Sequence, residues 1–455
     1  MKKKIALTIA LSTVLASSFV GSCSRQPKLP TYDDKQFTIA GWWSPYEQTA
    51  ESYTLYKEAG LNTLLMTNHS FEERTTDTLD YLGSNHTQKS LELCREVGLK
   101  AILNYGDWYY SMGEGKNYGE TPFSTFNYYG EYKDIIVGMH VVDEPSVSQM
   151  KKYGNDSLTA DYKSVYSVPY MVNLFPDYAN YNSLGTSTYE DYLKAYGEEI
   201  LSDFPNNAIV SVDYYPYQRN SAGLAPSWLM CYEEIAKLSK KYRAKTHFYL
   251  QSATKNEFVN TLTEEDIRLQ AYVALCFGAD WLSYYCYSMP HTVIGEVAMY
   301  DECLLNMDNE PTKLYYYAKE VNAEIQSFAS AFLSYDWVKT VGFTDEKDGE
   351  FAVELLKEKR DFSDRKNVKN VSANGDAIVG CFENEDGEGY MLVNYSLPSQ
   401  KKVVEISVTL KKKRGFVAVY GGENYSGEPQ IIQAENGVVN IKLKAGEGKF
   451  ITPIK

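Results

Sequence analysis

Several chemistries are excluded by what the sequence lacks. It holds only 5 histidines in 455 residues, and none stands four places from another, so the paired-histidine spacing of a helical zinc site is missing. Its 7 cysteines include no Cys-x-x-Cys pair, which removes the usual thiolate metal and redox motifs. Cations are outnumbered, with 45 Lys and Arg against 60 Asp and Glu for a formal charge of −15; a polyanion such as nucleic acid is a poor partner for that surface. No glycine fingerprint follows the first apolar run, which goes directly into Ala40-Gly41-Trp42-Trp43-Ser44-Pro45, so a dinucleotide-binding turn is not indicated. No metal or organic cofactor is called for. What the chain does have is aromatic surface: 40 Tyr, 18 Phe and 6 Trp. Such rings suit stacking on sugars, but they fill cores equally well.

The amino terminus reads as an export signal. Lys2, Lys3 and Lys4 precede an apolar stretch over residues 5–20 that is too short for a stable membrane anchor, and Val20-Gly21-Ser22-Cys23 follows. Removing residues 1–22 as a lipoprotein leader takes away three cations and no acid, so the mature chain is more acidic still. Small residues before one cysteine resemble a bacterial lipobox. That resemblance implies a lipidated Cys23 as membrane anchor, with an ordinary signal peptide as the alternative. Ser24-Arg25-Gln26-Pro27-Lys28 lacks an acidic run of the kind associated with surface display, which favours the periplasmic side. Residues 23–36, with two prolines and no apolar periodicity, form a tether. The other six cysteines sit mostly in apolar runs and read as buried thiols; an export compartment would permit a bridge from Cys276 or Cys286 to Cys303.

From residue 37 short apolar runs alternate with amphipathic helical stretches. Runs at 37–43, 62–67, 100–105, 135–142, 168–175, 207–212, 246–250 and 279–287 are each followed by a helical pattern, the first starting at a capping box over Ser44-Pro45-Tyr46-Glu47. Eight strands apolar on both faces and covered by helices predict a (β/α)8 barrel over 37–335. After residue 335 the apolar period falls to two. Runs at 351–356, 377–382, 390–395, 403–409, 416–420, 438–443 and 450–454, with Asp348-Gly349, Asp386-Gly387, Gly421-Gly422 and Asn436-Gly437 as turn signals, predict an antiparallel β-sandwich over 336–455.

In such a barrel, function sits where the carboxyl ends of the strands meet. The sequence puts Trp42 and Trp43 at the first end, Asn68 at the second, Tyr105 and Trp108 at or after the third, and Asp143 and Glu144 at the fourth. Asn173 follows at the fifth, Asp213 and Tyr215 at the sixth, Gln251 at the seventh, and Tyr285 and Tyr287 at the eighth. This mouth is rich in rings, carboxylates and amides and poor in cations, as a neutral polyhydroxylated sugar requires and a phosphorylated one does not. Two adjacent acids where an apolar strand ends are costly to desolvate, which marks Asp143 and Glu144 as functional candidates. The alternative is that one of them only caps the helix starting at Ser146. Their adjacency raises the pKa of Glu144, as a proton donor needs. Asp213 is a second candidate base or nucleophile, with a hydrogen bond inside its own turn as the alternative. His140, inside the fourth strand, reads as a core histidine.

Val142-Asp143-Glu144-Pro145 resembles the Asn-Glu-Pro segment at the fourth strand of the retaining (β/α)8 glycosidases of clan A. With Val172-Asn173-Leu174-Phe175-Pro176, Val212-Asp213-Tyr214-Tyr215-Pro216 and Phe277-Gly278-Ala279-Asp280-Trp281, it resembles bacterial glycoside hydrolases related to β-galactosidases. The resemblance implies hydrolysis of an O-glycosidic bond in an oligosaccharide or polysaccharide, Glu144 as general acid and Asp143 as an orienting carboxylate. It implies sugar contacts at the strand-end residues named above. The sequence departs from the family at the seventh strand, where Leu250-Gln251-Ser252 stands in place of the nucleophilic glutamate. A neutral amide cannot form the glycosyl ester. Three routes stay open: attack by the substrate's own 2-acetamido group, service by Asp213, or a barrel that binds glycan without cutting it.

Overall fold

The structure is a computed structural model and describes residues 29–66, 85–105, 122–217, 223–254, 262–290, 293–294, 297–298, 300–344, 356–385, 387–421 and 427–454. Eight parallel strands form one sheet: β1 (Thr38–Trp42), β2 (Thr63–Leu65), β3 (Lys100–Asn104), β4 (Ile136–Asp143), β5 (Tyr170–Leu174), β6 (Ala208–Val212), β7 (Lys245–Gln251) and β8 (Trp281–Tyr285). Their order, β1-β8-β7-β6-β5-β4-β3-β2, is that of a (β/α)8 barrel. The seam between β1 and β2 is closed largely by one asparagine. The backbone N–H of Asn62 donates to Ile39 O at 3.0 Å, its side-chain oxygen accepts from Ile39 N at 3.0 Å, and its amide donates to Phe37 O at 2.8 Å.

Inward positions of the lumen hold Ala40, Leu65, Ile102, Met171, Ile209, Tyr249 and Trp281 as a compact inner core. The outward faces of the strands pack on the helices, so most strand residues are buried on both sides and the runs read as continuously apolar.

Capping residues set the helix starts. Thr188 caps Tyr189–Glu199, and Thr263 forms a capping box with Asp266 at the head of Glu264–Cys276. The first helix differs from the sequence expectation. It starts at Ala50 under a Thr49 cap, because the Ser44 hydroxyl donates across to Leu65 O at 2.9 Å and is buried in the barrel rim.

Two antiparallel sheets follow. The larger has the order Asp336–Phe343, Ala377–Glu383, Glu388–Asn394, Gly448–Ile454, Phe416–Tyr420, Gln430–Gln433; the smaller has Val368–Ala373, Val404–Leu410 and Val438–Leu443. A second apolar core lies between them. Three of these strands escaped the period-two reading. Val368–Ala373 buries only two of its six residues, Gln430–Gln433 is a largely exposed edge, and Asp336–Phe343 carries a bulge between Trp337 and Lys339 that breaks alternation. The run expected at 351–356 lies outside the described residues except for Leu356, which is not in a strand.

The sandwich is stitched to the barrel at the end of helix Glu264–Cys276. Thr340 Oγ1 donates to Cys276 O at 2.7 Å, Cys276 Sγ donates to Met391 O at 3.3 Å, and Gly380 N donates to that sulfur at 3.1 Å. A Cβ on Gly380 would stand 2.4 Å from the Cys276 carbonyl oxygen, so glycine is required there. Burial between barrel and sandwich is why that helix is apolar on nearly every face. Cys276 is thereby too engaged to pair with Cys303, whereas Cys286 and Cys303 lie with their sulfurs 3.9 Å apart; the six described cysteines are free and buried.

Candidate active site

The chain leaves β4 through a strained turn. Glu144 adopts φ +45, a left-handed conformation that costs a non-glycine residue on the order of 1 kcal/mol. Three contacts hold it: Glu144 N donates to Asn173 O at 2.9 Å, Tyr192 Oη donates to the next carbonyl, Pro145 O, at 2.9 Å, and Phe175 N donates to that same tyrosine oxygen at 3.2 Å. The helix that follows, Val147–Tyr153, is capped by Ser146 itself, in a capping box with Gln149. Neither acid is needed as a cap, so the structural alternative for Asp143 and Glu144 loses its basis.

Asp143 closes β4 and is exposed. Its Oδ1 accepts from Asn173 Nδ2 at 2.9 Å, and the same nitrogen donates to Asp213 Oδ1, one residue past β6, also at 2.9 Å. These two oxygens are therefore no more than twice 2.9 Å apart. Ser211 Oγ donates to the other end of the amide, Asn173 Oδ1, at 2.7 Å. Burial, and then the charge of Asp143, raise Glu144 to about 7. Asp213 is pushed well above the carboxylate range by burial first, then by Glu144 and Asp143, against the pull of Asn173. Three carboxyl groups at the ends of two strands thus cannot all ionise at neutral pH, and a retained proton is available beside the bowl.

The rings expected at the mouth divide into two sets. Trp42 stands at the top of the lumen, edge-on to His140 at 5.3 Å and to Tyr249 at 5.9 Å between ring centroids. Tyr215 and Tyr285 pair at 5.2 Å, and the Tyr285 hydroxyl meets that of Tyr300 at 3.2 Å. These belong to the bowl. Trp43 turns away at φ +46 to pack with Ala253, Cys286, Met289 and Cys303 on the rim. Tyr287 is buried against Tyr56 behind β1, and Tyr105 is buried against Phe123 outside β3. Both are wall residues and not sugar contacts: Tyr105 follows the outward phase of β3, and Tyr287 lies beyond the end of β8, where its backbone N–H donates to Trp42 O at 2.7 Å and its ring is buried against Tyr56. Asn68 and Trp108 lie outside the described residues, as does Cys23.

Gln251 also departs from expectation. It is 6% exposed, and its amide forms a two-way clamp on the backbone of Tyr217: Tyr217 N donates to Oε1 at 3.0 Å and Nε2 donates to Tyr217 O at 3.2 Å. The side chain at the end of β7 is therefore spent on the loop after β6. Asp177, three residues past the end of β5, is raised by burial to about 6 and accepts from Ser227 Oγ at 3.0 Å. Sequence reasoning missed Tyr178, Tyr192 and Tyr249. Tyr178 is 50% exposed, lies edge-on to Tyr214, and feels the charges of Asp213 and Glu144; its place directly after Phe175-Pro176-Asp177 was the available signal. Tyr249 is buried in the lumen within reach of the charges of Asp143 and Asp213. Among the described residues no group of three or more His, Cys, Asp or Glu is placed to hold a metal ion, and no helix is long and apolar enough to cross a membrane.

No family model matches the chain, and no curated protein matches it in sequence. In three dimensions it is similar to Gan42B, a GH42 β-galactosidase, at 10% identity with a TM-score of 0.54, over 93% of this chain and 100% of that one. It is more loosely similar to a GH30 subfamily 8 xylanase from Clostridium acetobutylicum, at 12% identity with a TM-score of 0.43, over 92% and 96% of the two chains. At such identities the likeness is one of fold: a clan A-like glycosidase barrel with a β-sandwich behind it.

Proposed function

We propose that this chain, built on a clan A-like glycosidase fold, hydrolyses O-glycosidic bonds of an oligosaccharide or polysaccharide with Glu144 as the proton donor. The observation that supports this most directly is Glu144 at about 7, standing in an aromatic bowl beside two carboxyl groups that share one amide. A group near neutrality is protonated often enough to donate to a leaving oxygen and basic enough to take the proton back. Asp143 orients the substrate, and Asp213 serves as base or nucleophile. When Glu144 holds the proton its repulsion on Asp213 vanishes, and the Asn173 amide then favours the ionised form of Asp213. The bowl's rings, Trp42, Tyr215 and Tyr285, offer faces to the sugar.

One observation favours a second reading. Gln251 is locked onto Tyr217 where the family places its nucleophile, so a barrel that binds glycan without cleaving it would look the same at β7. Hydrolysis of a panel of aryl glycosides by wild type and Glu144→Gln separates the two. Turnover lost in the variant supports the enzyme, and glycan binding without turnover in either protein supports the binding module. A thiazoline inhibitor that blocks turnover would assign the attack to a substrate acetamido group. We further propose export and anchoring through a lipidated Cys23; Cys23→Ala should move the protein from the membrane fraction to the soluble one.

A further inference from the structure

We propose that Asn173 is a positioning residue, held in one amide orientation by a one-way chain of hydrogen bonds from Ser283 through His247 and Ser211, so that both its N–H bonds are committed to Asp143 and Asp213. This rests on the glycosidase reading only for its purpose, not for its geometry.

The chain crosses the lumen along the register of neighbouring strands, where Asn173 pairs with Ser211, Ser211 with His247, and Ser283 lies one strand further on. Its contacts are short: Asn173 to Ser211 2.7 Å, Ser211 to His247 Nδ1 2.7 Å, His247 Nε2 to Ser283 Oγ 2.8 Å. Each direction follows from the one before. Two carboxyl groups face Asn173, so its NH2 points to them and its oxygen points to Ser211. Ser211 has one hydrogen and gives it to that oxygen, so at its other contact it must accept. His247 therefore carries its hydrogen on Nδ1, and Nε2 accepts from the Ser283 hydroxyl. Burial, and then His140 across the lumen, hold His247 down to about 3, so it stays neutral through the working range. Asn173, Ser211, His247 and Ser283 are all nearly inaccessible, so no water competes for these partners.

With the amide unable to turn over, the two carboxyl groups always meet donors, which stabilises their ionised forms against burial and against each other. Five other titratable groups face them: Glu144 at the same turn, Tyr178 after β5, Tyr192 on its helix, Tyr215 after β6 and Tyr249 on β7. Cys231 and Tyr232 approach Asp213 from helix Trp228–Tyr242. Burial raises every one of these phenols and the thiol, so only Glu144 titrates alongside the pair.

The test needs no turnover. In wild-type protein labelled with 15N-histidine, His247 should show the neutral Nδ1–H tautomer between pH 5 and 8. An Nε2–H tautomer would overturn the proposal in the intact protein. In 13C-carboxyl-labelled protein, with resonances assigned through Asp143→Asn and Asp213→Asn, Ser211→Ala should move the titration of the pair upward by about one pH unit. Ser283→Ala, which touches neither Asn173 nor an acid, should move it the same way by less. A Ser283→Ala protein that melts like wild type but titrates unchanged would show that nothing is transmitted. Absence of hydrolysis would sink the glycosidase reading and leave these two results intact.

Discussion

The ends of β4 and β6 differ from the end of β7 in what their polar side chains are tied to. At β4 and β6 the acids are held by the side chain of Asn173, which is itself oriented by a neighbour, and each acid brings an ionisable carboxyl group to the bowl. At β7 the Gln251 amide is tied to the backbone of Tyr217 through both of its atoms and carries no charge. Both are polar arrangements built around a buried side-chain amide, Asn173 in one and Gln251 in the other. A preorganised site leaves charge unspent, and a structural clamp does not.

The largest effect should come from neutralising the acid past the end of β4. Glu144→Gln should lower turnover of aryl glycosides with poor leaving groups by about 10²–10⁴-fold while glycan binding, measured calorimetrically, persists. An unaltered rate would move the proton donor elsewhere.

The same substitution should show the opposite sign in stability. A carboxyl raised from 4.5 to about 7 is protonated in both folded and unfolded chains below pH 4, so it has no cost there. As pH rises from about 4.5 through 7 the unfolded chain ionises first, and folded stability is lost until the window closes. Glu144→Gln should therefore stabilise the protein at pH 8 by on the order of 2 kcal/mol and change little at pH 4, read by chemical denaturation at the two pH values.

The clamp answers differently. Gln251→Ala strips partners from both backbone groups of Tyr217 and should cost about 1–3 kcal/mol at any pH between 5 and 8. Gln251→Glu should not create a nucleophile. Its carboxylate can accept from Tyr217 N but cannot donate to Tyr217 O, so it should be destabilised and no faster than wild type; faster hydrolysis would show that β7 faces the bowl after all. The smallest effect is at the ring faces: Trp42→Phe should weaken glycan binding by about 1 kcal/mol, and Tyr287→Phe not at all.

Much of the fold was legible because strand runs buried on both faces and capped helices leave local marks. The runs that became β1 and β4 were readable from neighbouring residues alone. Legibility failed where a residue's partner is distant. Ser44 reads as a cap but bonds Leu65, and Val368–Ala373 is a strand because Val404–Leu410 pairs with it. Among the site residues, Asp143, Glu144, Asn173, Asp213, Trp42, Tyr215 and Tyr285 share the mouth, and Tyr105 and Tyr287 do not: one residue of phase turns Tyr105 outward from β3, and Tyr287 lies past the end of β8, where strand alternation no longer sets the side a ring faces.

By itself, the order of residues determined eight strand-helix units, a trailing sandwich and an acidic pair at the fourth strand end, since apolar period, capping and turn chemistry act over a few positions. That Asn173 joins Asp143 to Asp213, that the Gln251 amide is taken up by the backbone of Tyr217, and that Glu144 sits near neutrality are outcomes of the assembled barrel. Those outcomes depend on burial and on distances between strands 30 to 40 residues apart in sequence, which no local pattern encodes.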